Sequence, residues 1–231
     1  MNTKEMLIKH KSKIARKWHP TLRQGPTGAG YTYETLLGIK ENNDPSSDLI
    51  DGEIKTCSSS KIRLFSKAPI YAEPELSNKQ RCKKHGVWSN TQQRWQIYAQ
   101  STPNSKQCPN LKFDFTESKV ILYDKKLKTN LGSWDYKTLE SCFNEKFGSK
   151  NFIYVGYTKQ NKNGKVEFRY KDPVVIFDPI KNFKNLLLKR VVYVAGRTWW
   201  KPSDDSKHDH GWAFQINKKN FKKYCLQKED K

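Results

Sequence analysis

Asp48-Leu49-Ile50-Asp51-Gly52-Glu53-Ile54-Lys55 is the stretch on which the reading of this chain turns. Asp-Gly is a favoured two-residue hairpin turn. A turn centred on Asp51 and Gly52 pairs Ile50 with Glu53, Leu49 with Ile54 and Asp48 with Lys55. Cross-strand partners share a face of the sheet, as do residues two apart on one strand. Asp48, Glu53 and Lys55 are then expected on one face, with Leu49 and Ile54 packed on the other. Two carboxylates and an ammonium gathered in this way suit phosphodiester chemistry, because Mg²⁺ takes one or two carboxylates plus phosphate oxygens. On that reading Asp48 and Glu53 bind Mg²⁺, while Lys55 orients the attacking water and stabilises charge in the transition state. The plain alternative is a surface strand with an incidental ion pair, since Glu-x-Lys alone is a very weak signal.

Working outward, the stretch ends an acidic island. Glu34, Glu41, Asp44, Asp48, Asp51 and Glu53 fall within 20 residues with Lys40 as the only base, whereas the whole chain has 23 acidic residues in 231, or about 2 in 20. The rest of the chain is strongly basic: 44 Lys and Arg against those 23 acids give a net charge of +21. Asn78–Lys112 carries seven bases and no acid, interleaved with Trp88, Trp95 and Tyr98. Pro179–Ser203 is also free of acids and holds Lys181, Lys184, Lys189, Arg190, Arg197 and Lys201 around Trp199-Trp200. Such stretches supply sequence-independent affinity for nucleic acid. Carboxylates set into a polycation would weaken that affinity unless a cation sits on them, which separates a nuclease from a passive binder.

Composition excludes several classes. Aromatic residues make up 13% of the chain, too many for a disordered protein. No apolar run approaches the ~18 residues of a membrane span, and Met1–Lys17 is charged throughout, unlike a secretory leader. Five irregularly spaced cysteines (57, 82, 108, 142 and 225) fit a reducing cytoplasm. Local patterns predict a helix over Glu5–Trp18 with Leu7, Ile14 and Trp18 toward a core. They also predict a loop over Gly25–Gly30, a helix capped by Thr32 and running through Lys40, and helices at Tyr136–Phe147 and Ile180–Lys189. Strands are expected at Ile62–Ser66, Trp95–Gln100, Leu111–Phe115, Lys119–Tyr123, Pro173–Phe177, Val191–Ala195 and Gly211–Ile216. A hairpin is expected around Asn163-Gly164 and a basic helix from Lys218. The fold class is α/β, a mixed sheet flanked by helices in one domain with two lobes around a cleft. Residues 1–150 form mainly a catalytic lobe and 151–231 mainly a recognition lobe.

With these residues in view, Asp48-x4-Glu53-Ile54-Lys55 resembles the PD-(D/E)xK nuclease motif. Thr27-Gly-Ala-Gly-Tyr-Thr-Tyr-Glu34-Thr-Leu-Leu is similar to the glycine loop and helix of MvaI/BcnI-type restriction endonucleases. Leu64-Phe-Ser-Lys67-Ala-Pro69 and His208-Asp209-His210-Gly-Trp-Ala-Phe214-Gln215-Ile continue the likeness in the same order. The resemblance implies a restriction-endonuclease-like fold and a monomeric, Mg²⁺-dependent type II enzyme. It would cut double-stranded DNA one strand at a time at a short pseudopalindrome of the CC-N-GG kind, beside a cognate DNA methyltransferase and with no obligate protein partner or membrane. It implies Asp48, Glu53, Lys55 and Glu34 as catalytic, and Asp48, Glu53 and Ile54 as metal-binding. The DNA-binding residues expected are His208, Asp209, His210, Gln215, Lys67, Arg81, Arg94 and Arg197. Gln215 replaces the arginine usual in that segment and Trp212 a small polar residue; arginine reads guanine whereas glutamine reads adenine.

Other readings carry less. Gly25–Thr32 resembles a phosphate-binding loop but has Tyr31 in place of the required lysine. His208-x-His210 with Cys225, and Cys82 with His85, match no standard zinc spacing. A non-catalytic DNA- or RNA-binding protein and a mismatch-repair-type nickase are the alternatives to the restriction enzyme.

Overall fold

The computed structural model describes residues 1–41, 46–102, 108–176 and 183–220. Pro45, Asp44, Lys106, Cys225, the segment from Phe177 through Lys181, and the part of the expected basic helix beyond residue 220 lie outside them. In chain order, α1 (Thr3–Lys9) and a π-helical turn (His10–Ile14) precede β1 (His19–Pro20), α2 (Gly28–Leu37), β2 (Gly52–Cys57), β3 (Lys61–Ser66) and β4 (Ile70–Tyr71). Then come α3 (Asn78–His85), β5 (Val87–Ser89), β6 (Arg94–Gln100), β7 (Leu111–Phe115), β8 (Lys119–Asp124), β9 (Thr129–Asp135) and α4 (Tyr136–Phe147). The remaining elements are β10 (Asn151–Lys162), β11 (Lys165–Tyr170), β12 (Val174–Ile176), α5 (Phe183–Leu188), β13 (Val192–Trp200) and β14 (Lys207–Asn217). No helix among the described residues is long and apolar enough to cross a membrane.

The chain forms two compact units, one from residues 1–62, 143–181 and 217–231, the other from 63–142 and 182–216. Each unit draws on separate segments of the chain. The first holds a five-stranded mixed sheet in which β10 pairs antiparallel with β11 and β12 and parallel with β2. The parallel register sets Phe152 against Glu53, Ile153 against Ile54 and Tyr154 against Lys55. Ile54, Ile153 and Val155 point into a core with Met6, Ile14, Tyr33, Leu37 and Tyr170, all buried. Burying the apolar side of β2 against α1 and α2 leaves the alternate residues Glu53 and Lys55 on the other side, because strand side chains alternate.

The helical ends differ from their sequence-based bounds. The first helix stops at Lys9 and the chain leaves its π-turn at Arg16, which has a positive φ of 64°. Met6 and Ile14 are the fully buried anchors, whereas Trp18 is half-buried under the Arg169 guanidinium. α2 begins at Gly28, four residues before Thr32, and ends at Leu37 rather than Lys40. Thr32 is an interior residue whose hydroxyl accepts the Leu22 N–H at 3.0 Å. Close packing sets this start: a Cβ on Gly28 would lie 2.3 Å from the Arg23 carbonyl oxygen.

The second unit carries two antiparallel arrays, β3-β14-β13-β6-β5 and β4-β9-β8-β7. β9, α3, β1, β4 and β5 were not anticipated from the sequence; β6, β7 and β8 fall on their expected runs, whereas β13 extends past its expected end at Ala195 to Trp200 and β14 begins at Lys207 rather than Gly211. Trp212, Phe214 and Ile216 alternate into the core, each at most 3% exposed, as their spacing requires. Trp212 packs onto Gly196, where any Cβ would come within 2.2 Å of its ring. Between the Gly196 and Thr198 pairings β14 carries one extra residue, a bulge containing Gly211 at φ +69°.

Candidate active site and nucleic-acid interface

The hairpin forms one residue earlier than the Asp-Gly signal suggests. Leu49 bridges Gly52 antiparallel, with the Leu49 N–H donating to the Gly52 carbonyl at 2.8 Å, so Ile50 and Asp51 occupy the turn. The expected pairings of Ile50 with Glu53, Leu49 with Ile54 and Asp48 with Lys55 are therefore replaced by a register in which Asp48 lies across from Glu53. Moving a turn by one residue shifts both strands together and keeps face parity, so Asp48, Glu53 and Lys55 still share a side. Asp51 is drawn into the turn by α1: its Oδ1 accepts the Thr3 N–H at 2.7 Å and the Thr3 hydroxyl at 2.9 Å. Asn151 Nδ2 donates to its Oδ2 at 3.4 Å.

At the start of β2 the acidic groups interlock. The Asp48 N–H donates to Glu53 Oε2 at 3.2 Å, and the Ile54 N–H donates to Asp48 Oδ2 at 2.9 Å. Glu53 is fully buried and pairs through Oε1 with the Lys55 ammonium and, at 3.5 Å, with that of Lys146 from α4. Burial, and then the charge of Glu53, raise the Asp48 carboxyl above its ordinary range. Glu34, on α2, is pushed up to about 7 by burial first and by the Asp48 charge second. Lys150 donates to Ser47 Oγ at 2.7 Å, holding the segment just before Asp48. Ile54 is 2% exposed and has only its backbone carbonyl to offer a cation.

Among the described residues no group of three or more His, Cys, Asp or Glu is arranged to hold a metal ion unaided. Mg²⁺ asks for less, since it keeps waters and takes one or two carboxylates beside substrate phosphate. Asp48 and Glu34, whose ionisation is suppressed by burial and by neighbouring carboxylates, fit a divalent cation, which would relieve the repulsion.

In the second unit, cross-strand registers of β6, β13 and β14 place Gln96 beside Trp199 and Trp199 beside His208. Residues two apart on these strands add Arg94 and Arg197 to the same face. Arg94 stacks on Trp199 with its guanidinium 4.6 Å from the ring centroid. Arg94 and Arg197 both reach Gln96 Oε1 at 3.5 Å, and Arg197 also donates to Gln92 at 3.2 Å. His208 and His210 are exposed, with ring centroids 4.1 Å apart. Partial burial, followed by the charges of His208, Arg197 and Arg94, lowers the His210 pKa. Beyond the bulge Gln215 pairs with Tyr193 and returns to this face, whereas Asp209 accepts from Gly211 N at 2.8 Å and Asn78 Nδ2 at 3.5 Å.

Lys67 and Arg81 lie outside these three strands. Lys67 follows β3 with an exposed side chain. Arg81 is committed on α3 to Asn78 and to the Glu73 and Pro74 carbonyls, over the Tyr71 ring. Trp200 is buried on the opposite face, its Nε1 donating to Asp205 at 2.6 Å, while Trp199 stays half-exposed. Gln92, Gln96, Lys146 and Lys150 were not singled out from the sequence; only the alternation Arg94-x-Gln96-x-Tyr98 signalled any of them.

A family model described as the MvaI/BcnI restriction endonuclease family matches residues 8–224. The structure is similar to the "Restriction endonuclease MvaI-cognate DNA substrate complex", with 24% identity, 97% of each chain covered and a TM-score of 0.71. It is also similar to "Restriction endonuclease MvaI in the absence of DNA", with 23% identity, 97% of this chain and 96% of that chain covered and a TM-score of 0.49. No curated protein matches the chain. With the family model spanning nearly its whole length and a fold shared with MvaI, the chain belongs to the MvaI/BcnI restriction endonuclease family, as a type II, site-specific endodeoxyribonuclease.

Proposed function

We propose that the chain hydrolyses double-stranded DNA with Mg²⁺ held at Asp48, Glu53 and the Ile54 carbonyl, with Lys55 and Glu34 completing the catalytic set. Restriction endonucleases generally use divalent metal ions. The observation that carries this assignment is the convergence of the Asp48 and Glu53 carboxylates with the Lys55 ammonium at the start of β2. Bound there, the ion would polarise the scissile phosphate and acidify a water. Lys55 keeps its ammonium largely shielded beside a buried carboxylate, where its charge acts on a phosphorane-like transition state more strongly than in bulk water. The attacking water forms the new P–O bond as the bond to the leaving sugar oxygen breaks, and that oxygen takes up a proton from solvent water. The proton shed by the attacking water goes to Glu34, whose carboxyl at about 7 is matched to a neutral medium.

Recognition is assigned to the β6–β13–β14 face. Arg94 and Arg197 suit guanine, Gln215 suits adenine, and His208 and His210 add base contacts, with Asp209 fixing the bulge and Lys67 and Arg81 nearer the backbone. The proposed target is a short pseudopalindrome of the CC-N-GG kind, altered where Gln215 reads. The enzyme acts as a monomer in the cytoplasm, alongside a DNA methyltransferase that protects the same site.

The test is incubation with unmethylated phage DNA, with and without Mg²⁺, beside Lys55→Ala. Discrete Mg²⁺-dependent fragments, reduced at least 100-fold in Lys55→Ala, are expected. Equal cutting by the variant, or cutting that needs no divalent ion, would overturn the residue assignment.

A further inference from the structure

Glu53 is a carboxylate with no exposed surface, and a buried carboxylate is sustained only by partners on its oxygens. Both oxygens are occupied. Oε2 takes the Asp48 N–H, and Oε1 takes two ammonium groups, those of Lys55 and Lys146. Lys55 comes from the same strand and makes the tighter contact. Lys146 comes from the last turn of α4, which is pinned by the buried rings of Phe143 and Phe147. Its nitrogen stands back at 3.5 Å, and its side chain remains one-quarter exposed. Three residues after the helix, Lys150 holds Ser47, next to Asp48. A divalent cation placed on Glu53 would meet Lys146 as a like charge at the same oxygen, and of the two equally exposed ammonium groups the more distant one is the one that can leave. Substrate phosphate oxygens crowd around a metal ion in such a site and offer the displaced ammonium a new partner.

We infer that Lys146 is a displaceable counter-ion of the metal site: it holds Glu53 in the free enzyme and passes to a DNA phosphate when a divalent cation arrives. Metal and DNA binding then reinforce each other, by the reciprocity that any such coupling obeys. Lys146 is a positioning residue, and its role rests on the assignment of Glu53 as a metal ligand.

The experiment uses the full chain and Ca²⁺ as the probe, titrated calorimetrically without DNA. Lys146→Met is expected to bind Ca²⁺ about tenfold more tightly than the unaltered chain, with Lys146→Arg close to it. DNA affinity is then measured against salt with and without Ca²⁺. One phosphate contact is worth ~0.9 in the slope of log K against log salt, and Lys146→Met should lose it only when Ca²⁺ is present. Ca²⁺ affinity in Lys146→Met that is unchanged or weaker, with an unchanged melting temperature, overturns the inference. A slope lost equally with and without Ca²⁺ also overturns it, by making Lys146 an ordinary phosphate contact. Should Lys146→Met melt early, Lys146→Gln is read in its place. Glu53→Gln separates the two levels: if it binds Ca²⁺ as tightly as the unaltered chain, the Glu53 assignment itself fails.

Discussion

Glu34, in the proposed catalytic group, is displaced far from its ordinary range, and the cause of the displacement sets the sign of a pH effect. Burial and the neighbouring Asp48 charge lift its carboxyl from 4.5 to about 7. Between those values the folded chain keeps a proton that the unfolded chain has released, so this residue makes the metal-free enzyme less stable as pH rises through that window. Above about 7 both states are ionised and the contribution is flat. Replacing Glu34 with Gln removes the titration while keeping the shape. Relative to Glu34→Gln, the unaltered chain should lose about 2 kcal/mol between pH 4.5 and 7, a full shift being reduced because the side chain is part exposed. Urea denaturation of both proteins across pH 4 to 8 measures the difference, and parallel stability curves would place Glu34 in ordinary solvent. Turnover should run the opposite way, rising as the carboxylate forms.

At the level of elements, the hairpin shows which parts of the site are legible in a sequence. Face parity was legible, because apolar Leu49 and Ile54 must point away from Asp48, Glu53 and Lys55 in either register. The position of the turn was not, because Asp51 answers to a residue 48 positions away: its carboxylate satisfies the N-terminus of α1 through Thr3. A local turn preference of this size yields to two tertiary hydrogen bonds. The start of α2 was displaced by close contact at Gly28, which leaves no local signature beyond the glycine itself. α3, by contrast, was announced by Ser77-x-x-Gln80, the capping box the structure contains, and its basic composition hid it. Lys146 was illegible because only the fold brings the end of α4 to β2. Asp51 has a structural task. Asp51→Ala should cost about 2 kcal/mol by unmaking the α1 contacts, while Ca²⁺ affinity stays within a factor of a few. Asp48→Asn should do the reverse, and denaturation paired with calorimetry distinguishes them. Loss of metal binding in Asp51→Ala at unchanged stability would return the turn to its sequence-based register.

Across the whole molecule, a charge of +21 is far more than a catalytic site requires, and it divides into two kinds of cation. Some are engaged in holding structure: Arg81 is fixed by Asn78, by two backbone carbonyls and by the Tyr71 ring, and Lys79 and Lys83 lie over Trp200. Others are arrayed on a sheet face with side-chain oxygens aligning them, as Gln96 and Gln92 align Arg197. An arginine held in that way keeps most of its donors free and has already lost rotamer freedom, which favours bidentate base reading over loose phosphate contact. The two kinds predict different losses. Arg197→Ala should cost about 1–3 kcal/mol in binding to the cognate duplex and nearly nothing to an unrelated one, so that discrimination falls. Arg81→Ala should lower the melting temperature through the lost packing over Tyr71, with cognate and unrelated affinities kept in the same ratio. Equilibrium binding of both duplexes at several salt concentrations reads the two outcomes separately. A uniform loss in Arg197→Ala with a shallower salt slope would make it a phosphate contact, and the reading face would then have to be sought beyond β13.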